Sequence, residues 1–209
     1  MSQPTLAFKS LRNPNICDKR KLIFVHNPKA AGKSFRKWLG FEGRINHGFP
    51  SYDTPVNLWD EYTVIVCVRE PIKRALSLYK FMTHESYQGT MLKAFPDIHS
   101  YDPLTFFTTI MARQRLFLAK QYKYTHHFGS NKEPDYVLRV EDLDVSEIAD
   151  RFSISDPFPW ENSGKNSELV ELEEDLYWYL VNHFKADYFF FGYRPKPYDE
   201  FMDTQKLAA

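Results

Sequence analysis

The feature that most constrains this chain is a short apolar run, Leu22–Val25, broken at once by His26-Asn27-Pro28 and followed by the small residues Ala30, Ala31 and Gly32. An apolar run of that length, bounded by breakers, predicts a buried strand. Ser34 then opens an apolar-periodic stretch through Phe35, Trp38 and Leu39, which predicts a helix. A strand, a tight loop of small residues and a helix start make an anion cradle. Backbone N–H groups turn into such a loop, and the helix dipole favours negative charge there. Lys29 and Lys33 bracket the loop with ammonium groups. The whole stretch, Lys21 to Leu39, therefore predicts binding of a phosphate-like group.

The type of phosphate site is less simple. The pattern G-x-x-x-x-G-K-[ST] marks nucleoside-triphosphate loops. Gly32-Lys33-Ser34 fit it, but Asn27 stands where the first glycine belongs, and Pro28-Lys29 is foreign to it. A second strand, Tyr62–Val68, is predicted by its β-branched content. It runs into Arg69-Glu70-Pro71, and Pro71 suits the first turn of the helix that follows. A triphosphatase places an aspartate near the end of such a strand to help hold Mg²⁺. Arginine cannot do that, but it binds a phosphate through two parallel hydrogen bonds. Arg74 and Ser77 fall at helical spacing just beyond. The sequence thus predicts two anion subsites, one on the loop and one at Arg69 with Ser77, and no metal.

The stretches HNPKAAGKSF and VREPIKRALSLY resemble the two cofactor motifs of sulfotransferases that use 3′-phosphoadenosine-5′-phosphosulfate (PAPS). The likeness is to the carbohydrate type, including the heparan sulfate 2-O-sulfotransferase and chondroitin groups. The resemblance implies a three-layer α/β fold of the P-loop type, with a mostly parallel central sheet flanked by helices. It implies that Lys29, Ala30, Ala31, Gly32, Lys33, Ser34 and Phe35 hold the 5′-phosphosulfate, and that Arg69 and Ser77 hold the 3′-phosphate. Lys33 departs from the family pattern, where a small or hydroxyl residue is usual. His47-Gly48-Phe49-Pro50 is similar to the family's histidine segment, which implies His47 as the catalytic base beside Lys29 at the leaving phosphate. The segment Trp160–Ser163, followed by Gly164-Lys165, is similar to a loop that folds over the cofactor, so Lys165 joins the implied cofactor set. YVLRVEDL and ADYFFFGY also resemble late family segments. Glu141, in the first of these, reads more readily as a structural hydrogen-bond acceptor than as a substrate contact.

Elsewhere the residues speak more generally. Residues 1–20 read as a lead-in, 21–195 as one domain and 196–209 as a tail. Gly40–Pro55 reads as a loop, Pro103–Lys120 as a helix with Leu104, Phe107, Ile110, Met111 and Leu118 inward, and Leu169–Phe184 as a helix with Leu169, Leu172, Leu176, Tyr179, Leu180 and Phe184 inward. Arg113 and Arg115 read as solvated cations. Adjacent His126 and His127 point apart on an extended chain and show no ligand spacing. With 209 residues the chain is long enough for a full core. Its formal net charge of zero excludes a global field for nucleic acid or a membrane surface, so any anion site is local. Aromatic content of 17% suits a Phe-rich core or an aromatic-lined acceptor pocket. Two cysteines give no disulfide framework, and no apolar run approaches a membrane span. A reducing, cytoplasmic setting is the expectation, with a carbohydrate or small-molecule acceptor. Two other readings stay open on the residues: a Mg-ATP kinase for a small molecule, suggested by Gly32-Lys33-Ser34, and a non-catalytic nucleotide-binding module.

Overall fold

Two apolar runs set the centre of the molecule. Every residue of β2 (Leu22–Val25) and of β3 (Thr63–Val68) is buried. Successive strand residues face opposite sides, so strands apolar throughout need cover on both faces. Leu22, Phe24, Ile65 and Cys67 face one apolar cluster, while Ile23, Val25, Val64 and Val66 face another. The computed structural model describes residues 13–113, 118–160 and 169–208. Among these, the sheet has four strands in the order β1 (Ile16–Cys17), β2, β3 and β4 (Tyr136–Arg139). The two inner pairings, β2 with β3 and β3 with β4, are parallel, and β1 runs antiparallel along the outer edge of β2. The protein is therefore an α/β protein with a mixed, mostly parallel sheet flanked by helices.

On the first face lie α1 (Gly32–Trp38) and, through Ile148, a later helix spanning Ser146–Phe152. Between α1 and β3 come α2 (Pro50–Asp53) and α3 (Val56–Glu61), inside the stretch read as a loop and just after it. Trp59 of α3 is fully buried against the second face, and its indole N–H donates to Lys132 O at 2.9 Å. The longest helix among the described residues, α4 (Pro71–Thr83), starts at the expected proline. Its first turn is capped by the Glu70 carboxylate, which accepts from Lys73 N at 2.6 Å. The remaining helices are α5 (Met91–Ala94), α6 (Pro103–Arg113), α7 (Ser146–Phe152), α8 (Glu174–His183), α9 (Lys185–Phe190) and α10 (Tyr198–Ala208). Residues 198–208 thus form a helix, and Phe201 enters the largest apolar cluster with Tyr177, Leu180 and Phe184.

Two helices depart from the expected spans. α6 is described from Pro103 to Arg113, residues 118–120 are not helical, and Lys120 is extended, with φ −61 and ψ 134. The backbone N–H groups of Gln121 and Tyr122 donate to the Asp187 carboxylate at the start of a separate 3-10 turn, Gln121–Tyr124. The inward residues of α6 are Phe106, Phe107 and Ile110, whereas Leu104, expected inside, is half exposed. α8 begins only at Glu174, because Leu172 O accepts from the Tyr198 hydroxyl at 2.5 Å. Leu172, Leu176, Leu180 and Phe184 are buried as expected, but Tyr179 is exposed and Tyr177 takes the interior position. Among the described residues no helix is long and apolar enough to cross a membrane.

Candidate functional site

The loop between β2 and α1 departs from ordinary backbone at two non-glycine residues. Lys29 has φ 65 and Ala31 has φ 54, both in the left-handed region. Such residues cost of order 1–3 kcal/mol each and persist where the surroundings fix them. Alternation of this kind turns successive N–H groups toward one concavity, a shape that suits an anion. What fixes the loop lies beneath it. His26, read from the sequence only as a strand breaker, is 4% exposed and packs its ring against Gly32. A Cβ at Gly32 would sit 1.9 Å from His26 Cδ2 and Nε2, so this position must be glycine for the loop to close on the imidazole. Burial drives the His26 pKa down to about 2, with the charges of His47, Arg36 and Lys33 acting in the same direction. Its Nδ1 has no hydrogen-bond partner among the described residues.

The cations of the two motifs converge. Arg69 leaves the end of β3 and donates from Nη1 to Lys29 O at 3.4 Å. Burial lowers the Lys29 ammonium pKa from 10.5 to about 8, and the charges of Arg69 and Lys33 push it the same way. Burial also lowers the Arg69 pKa, opposed by Glu141, Glu70 and Tyr193, and a guanidinium stays charged through such a shift. No carboxylate among the described residues lies within ion-pair distance of Lys29, Lys33 or Arg69. The Lys29 ammonium rests instead over the Phe81 ring of α4, 4.3 Å from its centroid. Lys33 is exposed, Ser77 is half-buried, and Ala30, Gly32 and Ser34 are buried in the loop and first turn. Phe35 contributes packing: its ring stacks on Phe24 and meets Phe158, and its N–H donates to Ala31 O. Arg74 serves the interior, donating to Ala119 O at 2.5 Å. Lys165 lies outside the described residues.

His47 comes to the same place from the Gly40–Pro50 segment. Its ring centroid is 4.4 Å from that of His26, and its Nδ1 is 3.4 Å from His26 O. Donation from Nδ1 to that carbonyl puts the lone pair on Nε2, the tautomer a base requires. Burial lowers the His47 pKa, the backbone bond to His26 opposes that, and the charges of Arg36 and Lys29 add to it. The imidazole is therefore neutral at pH 7 and lies within the field of Lys29.

Three further residues hold this arrangement together. Gln121 is fully buried, and its Oε1 accepts from Asn27 Nδ2 at 2.9 Å and from Arg69 N at 3.0 Å. Its Nε2 donates to Arg69 O at 2.7 Å. Asp187, also fully buried, accepts from Gln121 N at 2.8 Å. Glu141 acts structurally, as expected: it accepts from Glu70 N at 2.9 Å and from the Tyr193 hydroxyl at 2.8 Å. No motif in the sequence marks Gln121, which stands outside both cofactor segments. Beyond the site, rings such as Phe106, Phe107 and Tyr177 fill the core, while Tyr52 and Phe128 are among the exposed aromatic residues, their rings 6.4 Å apart.

Comparison of the chain with protein-family models, with curated proteins and with solved structures finds no match in any of the three.

Proposed function

We propose that this protein is a PAPS-dependent sulfotransferase with a P-loop-type fold, resembling the carbohydrate sulfotransferases and acting on a hydroxyl of a carbohydrate or small-molecule acceptor. The observation that carries the reading is the convergence of Lys29, Lys33 and Arg69. The first and last are half-buried, and no carboxylate among the described residues pairs with any of them. Repelling cations held in place by the fold favour an anionic ligand between them.

The residues suit such a ligand in divided roles. Arg69, with Ser77 on the next helix, suits a 3′-phosphate, since a guanidinium grips phosphate at two points. Lys29 and the inward loop N–H groups suit the 5′ side. PAPS, when bound, would supply the sulfuryl group. Fixed positive charge where negative charge grows lowers the barrier to its transfer, and Lys29 holds that position. His47 takes the acceptor hydroxyl proton at Nε2, with Nδ1 tied to His26 O.

One observation favours a second reading: Gly32-Lys33-Ser34 has the letters of a triphosphate loop. Calorimetric titration with 3′-phosphoadenosine-5′-phosphate, and with ATP in the presence and absence of Mg²⁺, decides between them. Metal-independent binding of the bisphosphate, tighter than ATP, is expected. Mg²⁺-dependent ATP binding without response to the bisphosphate would make the protein kinase-like.

A further inference from the structure

We propose that Gln121 is a positioning residue that sets the spacing between the two anion subsites, and so selects ligands carrying two phosphate groups over ligands carrying one. The inference rests on the nucleotide reading above and adds a residue to it. Gln121 lies far along the chain from both motifs, yet its one side chain joins them. Through Oε1 it receives the Asn27 amide from the loop that carries Lys29, and the Arg69 N–H from the end of β3. Through Nε2 it returns a bond to Arg69 O. Asn27 is 1% exposed and also donates to Cys67 O at 2.9 Å, so the loop is tied directly to β3 and, through Gln121, to Arg69 just beyond it. Gln121 is itself held by the Asp187 carboxylate through its backbone N–H. A glutamine clamped at both ends of its amide fixes the offset between the Lys29 loop and Arg69.

That offset matters only to a ligand that spans both subsites. Binding of its second phosphate is an intramolecular event, and the gain is lost when the two subsites no longer match its span. A ligand with one phosphate is indifferent to the spacing.

The test compares three ligands by calorimetry: 3′-phosphoadenosine-5′-phosphate, adenosine 5′-monophosphate and adenosine 3′-monophosphate. Gln121→Leu and Asn27→Ala are expected to weaken the bisphosphate by roughly tenfold or more, from the lost chelate gain. Both monophosphates should change by less than about twofold, because a single subsite stays intact. The double variant should lose less than the sum of the two single ones, since both cut the Asn27–Gln121 bond. Asn27→Ala leaves both Gln121 bonds to Arg69 in place, although it also removes the donor to Cys67 O. It carries the comparison alone if Gln121→Leu does not fold. Equal weakening of all three ligands, additive losses or an unchanged bisphosphate affinity would overturn the role of Gln121 and leave the nucleotide reading standing. A wild-type protein that does not bind the bisphosphate would overturn both.

Discussion

His47 and Lys29 have their titrations moved by burial in the same direction and to opposite effect on chemistry. A histidine pushed down stays neutral and available as a base over a wider pH range. Replacing His47 by alanine is expected to lower turnover by roughly 10²–10⁴-fold, the usual worth of general-base help, with bisphosphate affinity nearly unchanged. Because burial holds the His47 pKa below its ordinary value of 6.5, the acid limb of the pH–rate profile should fall below that of an ordinary histidine. A limb at or above 6.5, or parallel loss of turnover and nucleotide affinity in the alanine variant, would remove His47 from this role. Lys29 behaves inversely, since its charge is what an anion needs. With its pKa near 8 in the free protein, affinity for the bisphosphate should decline as pH rises through that value. An anion raises the Lys29 pKa in turn, so binding near pH 8 should take up protons. Calorimetry in buffers of different ionisation enthalpy reads that uptake directly, and Lys29→Ala should abolish it. Lys29 and Arg69 were legible in the sequence because Lys29 lies in the breaker-rich loop after one apolar run and Arg69 directly follows another. His26 was not, because its burial depends on which face of the loop the ring takes.

At the scale of elements, the strand–loop–helix unit holds its shape through one close approach. Gly32 opens α1 directly over the His26 imidazole, and a methyl there would meet the ring at 1.9 Å. Neither partner has room to move, because His26 is buried and the preceding residue, Ala31, is in the left-handed conformation. Gly32→Ala is expected to destabilise the protein by about 1–3 kcal/mol, as overpacking does, and to abolish bisphosphate binding by displacing the loop. The double variant with His26→Ala should recover part of both losses, measured by thermal unfolding and calorimetry. Unaffected binding in the single variant would mean that the loop does not depend on this contact. The central strands were readable because an apolar run is a local signal, and the start of α4 because Pro71 marks it. The turn at Gln121 and the start of α8 were not, because distant side chains take the backbone groups there. Asp187 receives the N–H groups of Gln121 and Tyr122, and the Tyr198 hydroxyl occupies Leu172 O.

Over the whole molecule, the site depends on a residue close to the far end of the chain. Asn27 and Gln121 are separated by 94 positions, and Gln121 and Asp187 by 66, so no periodicity or spacing links them. Only the folded chain brings the loop after β2, the end of β3, the segment after α6 and the helix α9 to one buried point. Asp187 anchors that point: it is fully buried, accepts two backbone N–H groups and faces the charge of buried Arg74. Its own pKa is raised by burial, against the pull of those bonds and of Arg74. Asp187→Ala leaves one buried and one partly buried N–H donor without this acceptor and removes a negative charge that acts on buried Arg74. Leaving a buried donor unsatisfied costs about 1–3 kcal/mol for each group. The variant should therefore unfold at a much lower denaturant concentration with an unchanged slope, the signature of lost stability without a change in the surface exposed. Tyr193→Phe, which removes one hydroxyl donor to Glu141 at the other side of the site, should cost only about 1 kcal/mol by comparison. If the two variants proved equally mild, Asp187 would be a local cap on the Gln121 turn, and the linkage between the carboxyl-terminal helices and the two anion subsites would have to run through another contact.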